Sequence, residues 1–351
     1  MPDPGEEQIL ELLRRLGATD AEIAATEGVR SFGDLALELV LRDGPPVRLS
    51  QLLDSSGISA DRFREIWQAL ALPALVGDDP QVPADVAATA PVLSAVSREW
   101  LGDELALAIT RVVGTTAARL AEAIVDVYRV QFELPRLRSG DSYAEVVARQ
   151  VEMTQTSVRA FEAFLSAAFR AHLVRVASGA WAPDEGLTAT RRELFVGFVD
   201  LVGYTALART MSTGQLARLL SAFEDVVGEA VGAGGGRLVK LIGDSAMFVT
   251  DSPAAGCRVA LDLCRRLEES DVLPAGRGGG DYGTVLSLRG DYFGDVVNRA
   301  ARFVALARSA TVVVSDVVAA AAGAGFTFER LPPRALKGFQ SPMAPFRVLP
   351  G

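Results

Sequence analysis

Residues 195–205, with the sequence FVGFVDLVGYT, constrain the fold of this chain more than any other stretch. Aromatic and β-branched residues alternate with small ones up to Asp200, a pattern typical of a buried strand. Gly203, Tyr204 and Thr205 follow, and a helical pattern starts after them. A strand, a glycine turn and a helix start leave backbone N–H groups free to bind an anion, and a neighbouring carboxylate would hold a divalent cation against a polyphosphate. Alternatively, Asp200 only caps the helix and Gly203 only permits the turn.

The length and charge favour a two-domain protein without a broad basic surface. The chain has 351 residues and a net charge of −9, which argues against a nucleic-acid partner. No apolar run approaches the roughly 18 residues of a membrane span, and the amino end lacks the basic start of a secretion signal. The two cysteines, Cys257 and Cys264, are too few for a disulfide framework or a zinc site. We therefore expect a cytoplasmic protein with reduced thiols and no transmembrane segment.

Residues 1–185 have the pattern of an all-helical domain. An Ala-rich helix is predicted from Asp103 to about residue 132, buried on two faces and ended by Leu134 and Pro135. A second long helix is predicted over residues 142–178, and such a helix spans between domains or pairs with a copy of itself. Residues 49–70 resemble a helix-turn-helix, but their charges alternate in sign, so DNA binding is kept only as an alternative.

Residues 186–351 form the second predicted domain, in which strands alternate with helices. Two strand–helix–strand units and a hairpin predict an α+β sandwich of the ferredoxin type with additions. The hairpin turns at Gly243 and Asp244. The glycine-rich segments 234–236 and 276–280 are predicted to be flexible connections, and a strand is predicted to begin only at Tyr282.

Polar residues in this half form a further constellation. Lys240 lies in an otherwise apolar strand, where a charge needs a partner, and the turn residue Asp244 is placed to approach Asp200. Two carboxylates that close would raise each other's pKa unless a cation lay between them. The alternative, a plain Gly-Asp turn, does not account for Lys240.

A glycine-flanked acidic residue, Asp291, precedes a helix that carries Asn298 and Arg302 four residues apart, hence on one face. An amide and a guanidinium there suit a sugar oxygen and a phosphoryl charge, although an isolated pair of this kind is more often an ordinary polar surface. Arg299 is predicted to be such a surface residue.

Together these motifs resemble the class III nucleotidyl cyclase catalytic domain. The resemblance rests on FVDLVGYT, KLIGD, GDYFGDVVNRAAR and a closing LKGF at residues 336–339, in that order over about residues 190–350. It implies an adenylate cyclase that converts ATP to cyclic AMP and pyrophosphate with two Mg²⁺ or Mn²⁺ ions. Asp200 and Asp244 match the metal-binding aspartates. The backbone that binds metal and triphosphate matches Leu201, Gly203, Tyr204 and Thr205.

The same resemblance assigns the remaining site residues. Lys240 and Asp291 match the pair that contacts the purine and selects adenine. Asn298 and Arg302 match the residues that orient the ribose and stabilise charge on the α-phosphate, and Lys337 matches a residue that reaches the terminal phosphates. In this family each site forms between two catalytic domains. A chain with the full set therefore implies a homodimer with two shared active sites.

The helical half resembles the regulatory domain of bacterial cyclases of this class that respond to pH. The only histidine, His172, falls in the long helix and is the candidate pH-responsive group, with an ordinary helix-surface residue as the alternative. A lipid-like ligand within the apolar helical half is a further expectation. The alternatives to an active cyclase are a catalytically silent nucleotide sensor and, with less support, a DNA-binding regulator.

Overall fold

A computed structural model describes residues 4–180 and 191–351. Its internal contacts divide the chain into two units, Met1–Trp181 and Ala182–Gly351. The domain boundary predicted near residue 186 lies outside the described residues. We describe each unit by itself.

The regular structure described over residues 4–180 of the first unit is helical apart from one small antiparallel ribbon. Its helices are α1 Pro4–Arg15, α2 Asp20–Thr26, α3 Phe32–Leu41, α4 Leu49–Ser56, α5 Ala60–Ala69, α6 Ala84–Val96, α7 Asp103–Tyr128, α8 Leu134–Ser139 and α9 Tyr143–Ala180. The ribbon consists of β1 Val47–Arg48 and β2 Gln81–Val82.

Two apolar clusters hold this unit together. In the first, Leu13 and Leu35 pack with Val147, so that α1 and α3 cover the start of α9. In the second, Phe63 and Trp67 of α5 pack with neighbouring helices and the ribbon. The helices α2 and α3 each begin with a capping box. In this motif the N-cap side chain accepts from the backbone N–H of the third helical residue, whose side chain accepts from the N-cap N–H.

The helix α7 differs from its prediction in two ways. It is exposed along most of its length within this unit, with only Ala106, Thr110 and Gly114 buried, because only its first half packs against α5. It also does not end at Leu134 and Pro135. The chain passes through a π-helical segment, Arg129–Glu133, into α8, since a proline in the first turn of a helix needs no N–H partner.

The predicted helix-turn-helix pair is present as α4 and α5, with Gly57 in a left-handed conformation between them. The arginines on α5 are already neutralised, because Arg62 pairs with Glu65 and Asp103, and Arg64 pairs with Asp61. Among the described helices, none combines the length and apolar character needed to cross a bilayer.

The second unit is built on an eight-stranded sheet. Its strands are β3 Arg191–Leu201, β4 Arg237–Ile242, β5 Ser245–Thr250, β6 Gly276–Leu288, β7 Asp291–Phe293, β8 Val312–Val314, β9 Phe326–Arg330 and β10 Phe346–Pro350. Its helices are α10 Tyr204–Ala208, α11 Thr213–Ala233, α12 Pro253–Glu268, α13 Asp295–Val304 and α14 Asp316–Ala321.

The strand order confirms the predicted ferredoxin-type sandwich. The order is β4-β5-β3-β6-β8-β10-β9, with β7 paired to β6, and only the β6–β8 pair is parallel. The first four strands, with α11 and α12 as crossovers, have the ferredoxin arrangement. One face of the sheet packs against α11 and α12 around Phe195, Phe223 and Phe248. The other face packs against α13 around Val196, Met247 and Ala300.

The prediction that residues 276–280 are a flexible connection is wrong. These residues begin β6, which pairs with β3 over Gly276–Leu286 and with β8 over Gly278–Gly280. Their glycines allow close packing: a Cβ on Gly280 would lie 2.2 Å from the Phe195 ring, and one on Gly279 would lie 2.4 Å from the backbone nitrogen of Val304. The glycines therefore reflect helices and rings pressed against bare backbone, not flexibility.

Candidate active site

Asp200 and Asp244 lie together at the end of the β3–β5 strand pair. Asp200 pairs with Ser245, the residue after Asp244, and the Leu201 amide donates to the Asp244 carbonyl at 3.1 Å. Burial raises the pKa of the Asp244 carboxyl, and the adjacent Asp200 carboxylate raises it further. The turn that brings the two carboxylates together has Gly243 in a left-handed conformation, with φ +62°. Glycine adopts this conformation more readily than other residues.

Arg277, which was not predicted as a site residue, faces the same carboxylates. Arg277 lies opposite Asp200 on β6, and its Nη2 donates to Asp200 Oδ2 at 2.9 Å. It was missed because it lies in the glycine-rich segment assigned to a loop. A charged residue between glycines, five residues before the predicted strand that begins at Tyr282, was the available signal.

Lys240 and Asp291 form an ion pair through Lys240 Nζ and Asp291 Oδ2. Lys240 therefore has the partner that an apolar strand requires. The neighbouring Arg237 donates to the Tyr292 hydroxyl and lies over its ring, with 5.0 Å from the guanidinium carbon to the ring centroid. Tyr292 is buried, so this second contact fixes β7, and with it Asp291, against β4.

The helix α13 carries Asn298 and Arg302, and both side chains are exposed. Val296, Ala300 and Phe303 turn the opposite side of the helix into the core. The structure corrects the assignment of Arg299 to the surface: its Nε donates to the fully buried Asp281 at 2.6 Å.

The glycine turn after Asp200 is followed by a helix, as predicted. Gly203 caps α10 with φ +74°, and α10 has only five residues. Among the described hydrogen bonds, none uses the amides of Gly203, Tyr204 or Thr205 as donors. These three amides are therefore open to an anion, whereas the Leu201 amide is engaged by Asp244.

Lys337 and His172 lie in different units. Lys337 is exposed on a loop closed by an Arg334–Met343 bridge, and its neighbour Leu336 packs with Phe303 at the end of α13. His172 is exposed on α9 of the first unit.

The site residues fit a divalent cation. Asp200 and Asp244 lie together at one strand end, and the pKa of Asp244 is raised. A cation between two such carboxylates would relieve their mutual repulsion. Among the described residues, no cluster of three or more His, Cys, Asp or Glu side chains could hold a metal. The remaining ligands would therefore have to come from backbone carbonyls, water or a polyphosphate, as is usual for Mg²⁺.

Comparison with known proteins gives the class. The chain is 31% identical to an adenylate cyclase of Glutamicibacter nicotianae, over 78% of this chain and 70% of that protein. It is 30% identical to an adenylate cyclase of Streptomyces coelicolor, over 77% of this chain and 70% of that protein. No model of a protein family matches the chain. Because it is at least 30% identical to these two enzymes over more than three quarters of its length, the chain belongs to the adenylate cyclase family.

Other relatives extend over nearly the whole chain. An uncharacterized protein of Mycobacterium tuberculosis is 34% identical over 97% of this chain and 89% of its own length. A pH-sensitive adenylate cyclase of the same species is 25% identical over 98% of this chain and 88% of its own length. Among solved structures, the adenylyl cyclase CyaB from P. aeruginosa matches 46% of this chain and 95% of its own, with 18% identity and a TM-score of 0.41.

Proposed function

We propose that this member of the adenylate cyclase family converts ATP to 3′,5′-cyclic AMP and pyrophosphate by in-line attack of the ribose 3′-oxygen on the α-phosphorus. One observation carries the proposal: Asp200 and Asp244 lie together at a strand end beside three open backbone amides. Lys240 lies on the same sheet face as Asp200. It pairs with Met247, which pairs with Phe198, and Phe198 and Asp200 are two residues apart on β3.

Asp200 and Asp244 would hold the divalent cations, with the Leu201 carbonyl as a further ligand. Mg²⁺ or Mn²⁺ suits these oxygen donors, and we propose two ions per site. Bound there, the cations would lower the pKa of the ribose 3′-hydroxyl and neutralise triphosphate charge. The amides of Gly203, Tyr204 and Thr205 would bind phosphate oxygens.

The other residues would position the nucleotide. Lys240 would donate to a ring nitrogen of adenine and Asp291 would accept from its exocyclic amine, which makes the pair selective for ATP. Asn298 would orient the ribose. Arg302 would stabilise charge developing on the α-phosphate, a contribution of a few kcal/mol for a well-placed donor. Lys337 would reach the terminal phosphates.

A homodimer with two shared sites would bring these groups together. Within the described residues, no hydrogen bond or ion pair joins Asp200 or Asp244 to Lys240, Asp291, Asn298 or Arg302. We propose that one protomer supplies the acids and its partner supplies the remaining groups, as the resemblance to class III cyclases implies.

We further propose that residues 1–185 are a regulatory domain and residues 186–351 the catalytic domain. A pH-sensitive relative that matches 98% of the chain supports regulation by pH, with His172 as the candidate group. A lipid-like ligand of the helical domain belongs to the same proposal.

Pyrophosphate release tests the proposal. The full chain and residues 186–351 are each incubated with ATP or GTP and either Mg²⁺ or Mn²⁺. We expect turnover of ATP with a preference over GTP, and cyclic AMP as the product. Nucleotide binding without pyrophosphate release, in both forms and with both metals, would favour the silent sensor instead.

A further inference from the structure

The helix α13 rests on one face of β6 through three alternate residues. Side chains two apart on a strand point to the same face, so Gly279, Asp281 and Gly283 all face α13. A Cβ on Gly283 would lie 3.2 Å from Val296, and one on Gly279 would lie 2.5 Å from the Ala300 carbonyl. Between these two contacts, Asp281 bonds to Arg299.

Asp281 is the one side chain of the three that can make a directed bond. It has no exposed surface. Its Oδ1 accepts from the Tyr282 amide at 2.8 Å and its Oδ2 accepts from Arg299 Nε at 2.6 Å. The Ser315 hydroxyl, at the start of α14, lies near enough to the same carboxylate to oppose the rise of its pKa. The two hydrogen bonds of the carboxylate therefore join β6 and α13 at one point.

The surroundings of this ion pair are apolar. Asp281 pairs across strands with Val196, which belongs to the cluster that includes Val296 and Ala300. Burial raises the pKa of Asp281 even though Ser315 and Arg299 oppose the rise. A buried ion pair in such a place is weak evidence of added stability, because apolar side chains of similar volume commonly do as well. Its particular property is direction, because the hydrogen bond from Arg299 to Asp281 is kept only while the Arg299 side of α13 faces β6.

That rotation decides where the exposed face of α13 points. Arg299 follows Asn298 directly and precedes Arg302 by three residues, so turning Arg299 inward fixes the angle at which the other two leave the helix. The glycine contacts set how close α13 lies to the sheet, and the buried side chains of Val296, Ala300 and Phe303 hold one side of the helix in the core. The ion pair adds a directed bond that narrows the rotation of α13 further.

We propose that Asp281 and Arg299 are positioning residues for cyclisation, which fix the rotation of α13 so that Asn298 and Arg302 meet the transition state. The proposal rests on the proposed function. Neither residue touches the nucleotide. Loss of the pair would therefore lower kcat, and would leave KM for ATP and the affinity for a non-cyclisable analogue nearly unchanged, because Lys240, Asp291 and the two aspartates keep their places.

The test uses the full chain with Arg299→Met, Arg299→Lys, Asp281→Asn and the double variant Asp281→Asn/Arg299→Met. The control is Arg266→Met. Arg266 is a helical arginine that bonds to Asp262 and Glu229 on α12 and α11, on the opposite face of the sheet. For each protein we measure kcat and KM for ATP, the affinity for 3′-deoxy-ATP by titration calorimetry, and the melting temperature.

We expect Arg299→Met to lower kcat at least tenfold with KM and 3′-deoxy-ATP affinity changed less than threefold. Arg299→Lys should recover part of kcat, the double variant should be no slower than the slower single variant, and Arg266→Met should keep wild-type kcat. Unchanged kcat in Arg299→Met, or rate losses that multiply in the double variant, would overturn the proposal. So would equal loss of analogue affinity, which would indicate a general structural role. If Arg299→Met does not fold, Asp281→Asn and Arg299→Lys carry the same comparison. Absence of ATP turnover in the wild type would instead refute the proposed function.

Discussion

Asp200 and Arg277 face each other across adjacent antiparallel strands, and Arg277 Nη2 donates to Asp200 Oδ2 at 2.9 Å. The guanidinium thus bonds to a carboxylate oxygen that a cation would need as a ligand. In the proposed site, its positive charge would attract the triphosphate. Arg277 would therefore weaken metal binding and favour nucleotide binding.

Replacing Arg277 should separate these two effects. We expect Arg277→Met to bind Mn²⁺ several-fold more tightly in the absence of nucleotide, because a competing positive charge is gone. The same variant should have a raised KM for ATP. Mn²⁺ titration followed by electron paramagnetic resonance and steady-state kinetics measure the two quantities, with Arg347→Met on β10 as the control. Weaker Mn²⁺ binding in Arg277→Met would contradict the prediction.

A shared site predicts complementation between inactive chains. Asp200→Asn and Arg302→Ala should each lose at least about 100-fold in activity, since a metal ligand and a transition-state donor are removed. Mixed and allowed to exchange, they should recover about a quarter of wild-type activity, because half of randomly formed dimers then hold one intact site of two. The measurement is cyclic AMP formation before and after mixing. Failure to recover, with dimers shown by light scattering, would argue for sites within single chains.

The Lys240–Asp291 pair predicts nucleotide choice. Adenine has an acceptor at a ring nitrogen, which Lys240 would contact, and a donor at its exocyclic amine, which Asp291 would contact. Guanine instead has N–H donors that suit a carboxylate. Lys240→Glu combined with Asp291→Ala should therefore lower kcat/KM for ATP by at least about tenfold and raise the GTP-to-ATP ratio. Competition assays with both nucleotides measure this ratio. Equal losses for ATP and GTP would mean that the pair supports the fold and does not select the base.

Two glycine substitutions should change stability in opposite directions. Gly279→Ala should destabilise the second unit by about 1–3 kcal/mol, since its Cβ would lie 2.4 Å from the Val304 nitrogen. Gly232→Ala on α11 has nothing within 4 Å and should stabilise by roughly 0.5–1 kcal/mol, because alanine is the better helix former. Denaturant unfolding of both variants gives the free energies. A tolerated Gly279→Ala would show that α13 can move away from β6.

His172 provides the test of pH control. A histidine changes charge near neutral pH, so His172→Ala should flatten the pH dependence of cyclase activity in the full chain. Residues 186–351 alone lack His172 and serve as the reference profile. Activity measured over roughly pH 5.5–8.5, from about one unit below the ordinary histidine pKa to about two units above it, checks this. An unchanged profile in His172→Ala would remove His172 from the mechanism.

The sequence was most informative where chemistry requires particular side chains at fixed spacing. The predicted hairpin at Gly243, the strand before Asp200 and the helix with Asn298 and Arg302 are all present. The sequence was least informative where glycine is used for packing. Local propensity assigns residues 276–280 to a loop, because what keeps them in a strand is contact with Phe195, Val304 and Val312, which are distant in sequence.

Exposure was equally hard to predict for long helices. The apolar content of α7 indicates burial, yet the described unit leaves residues such as Ile109 and Val113 exposed. The buried Asp281–Arg299 pair was missed for a related reason: a charged residue in sequence indicates a surface, and only the fold shows which charges are enclosed together.

At Gly279 the separation between sheet and helix is set by main-chain atoms, with no side chain acting as a spacer. Elsewhere in the core, neighbouring side chains can adjust to a substitution by changing rotamer or by gaining or losing a methyl group. A spacing that is set by main-chain atoms cannot be adjusted in this way. We therefore expect natural variation in this enzyme to spare residues 278–280 while altering nearby aliphatic positions. Any engineered change in the height of α13 above the sheet would require rebuilding the strand itself.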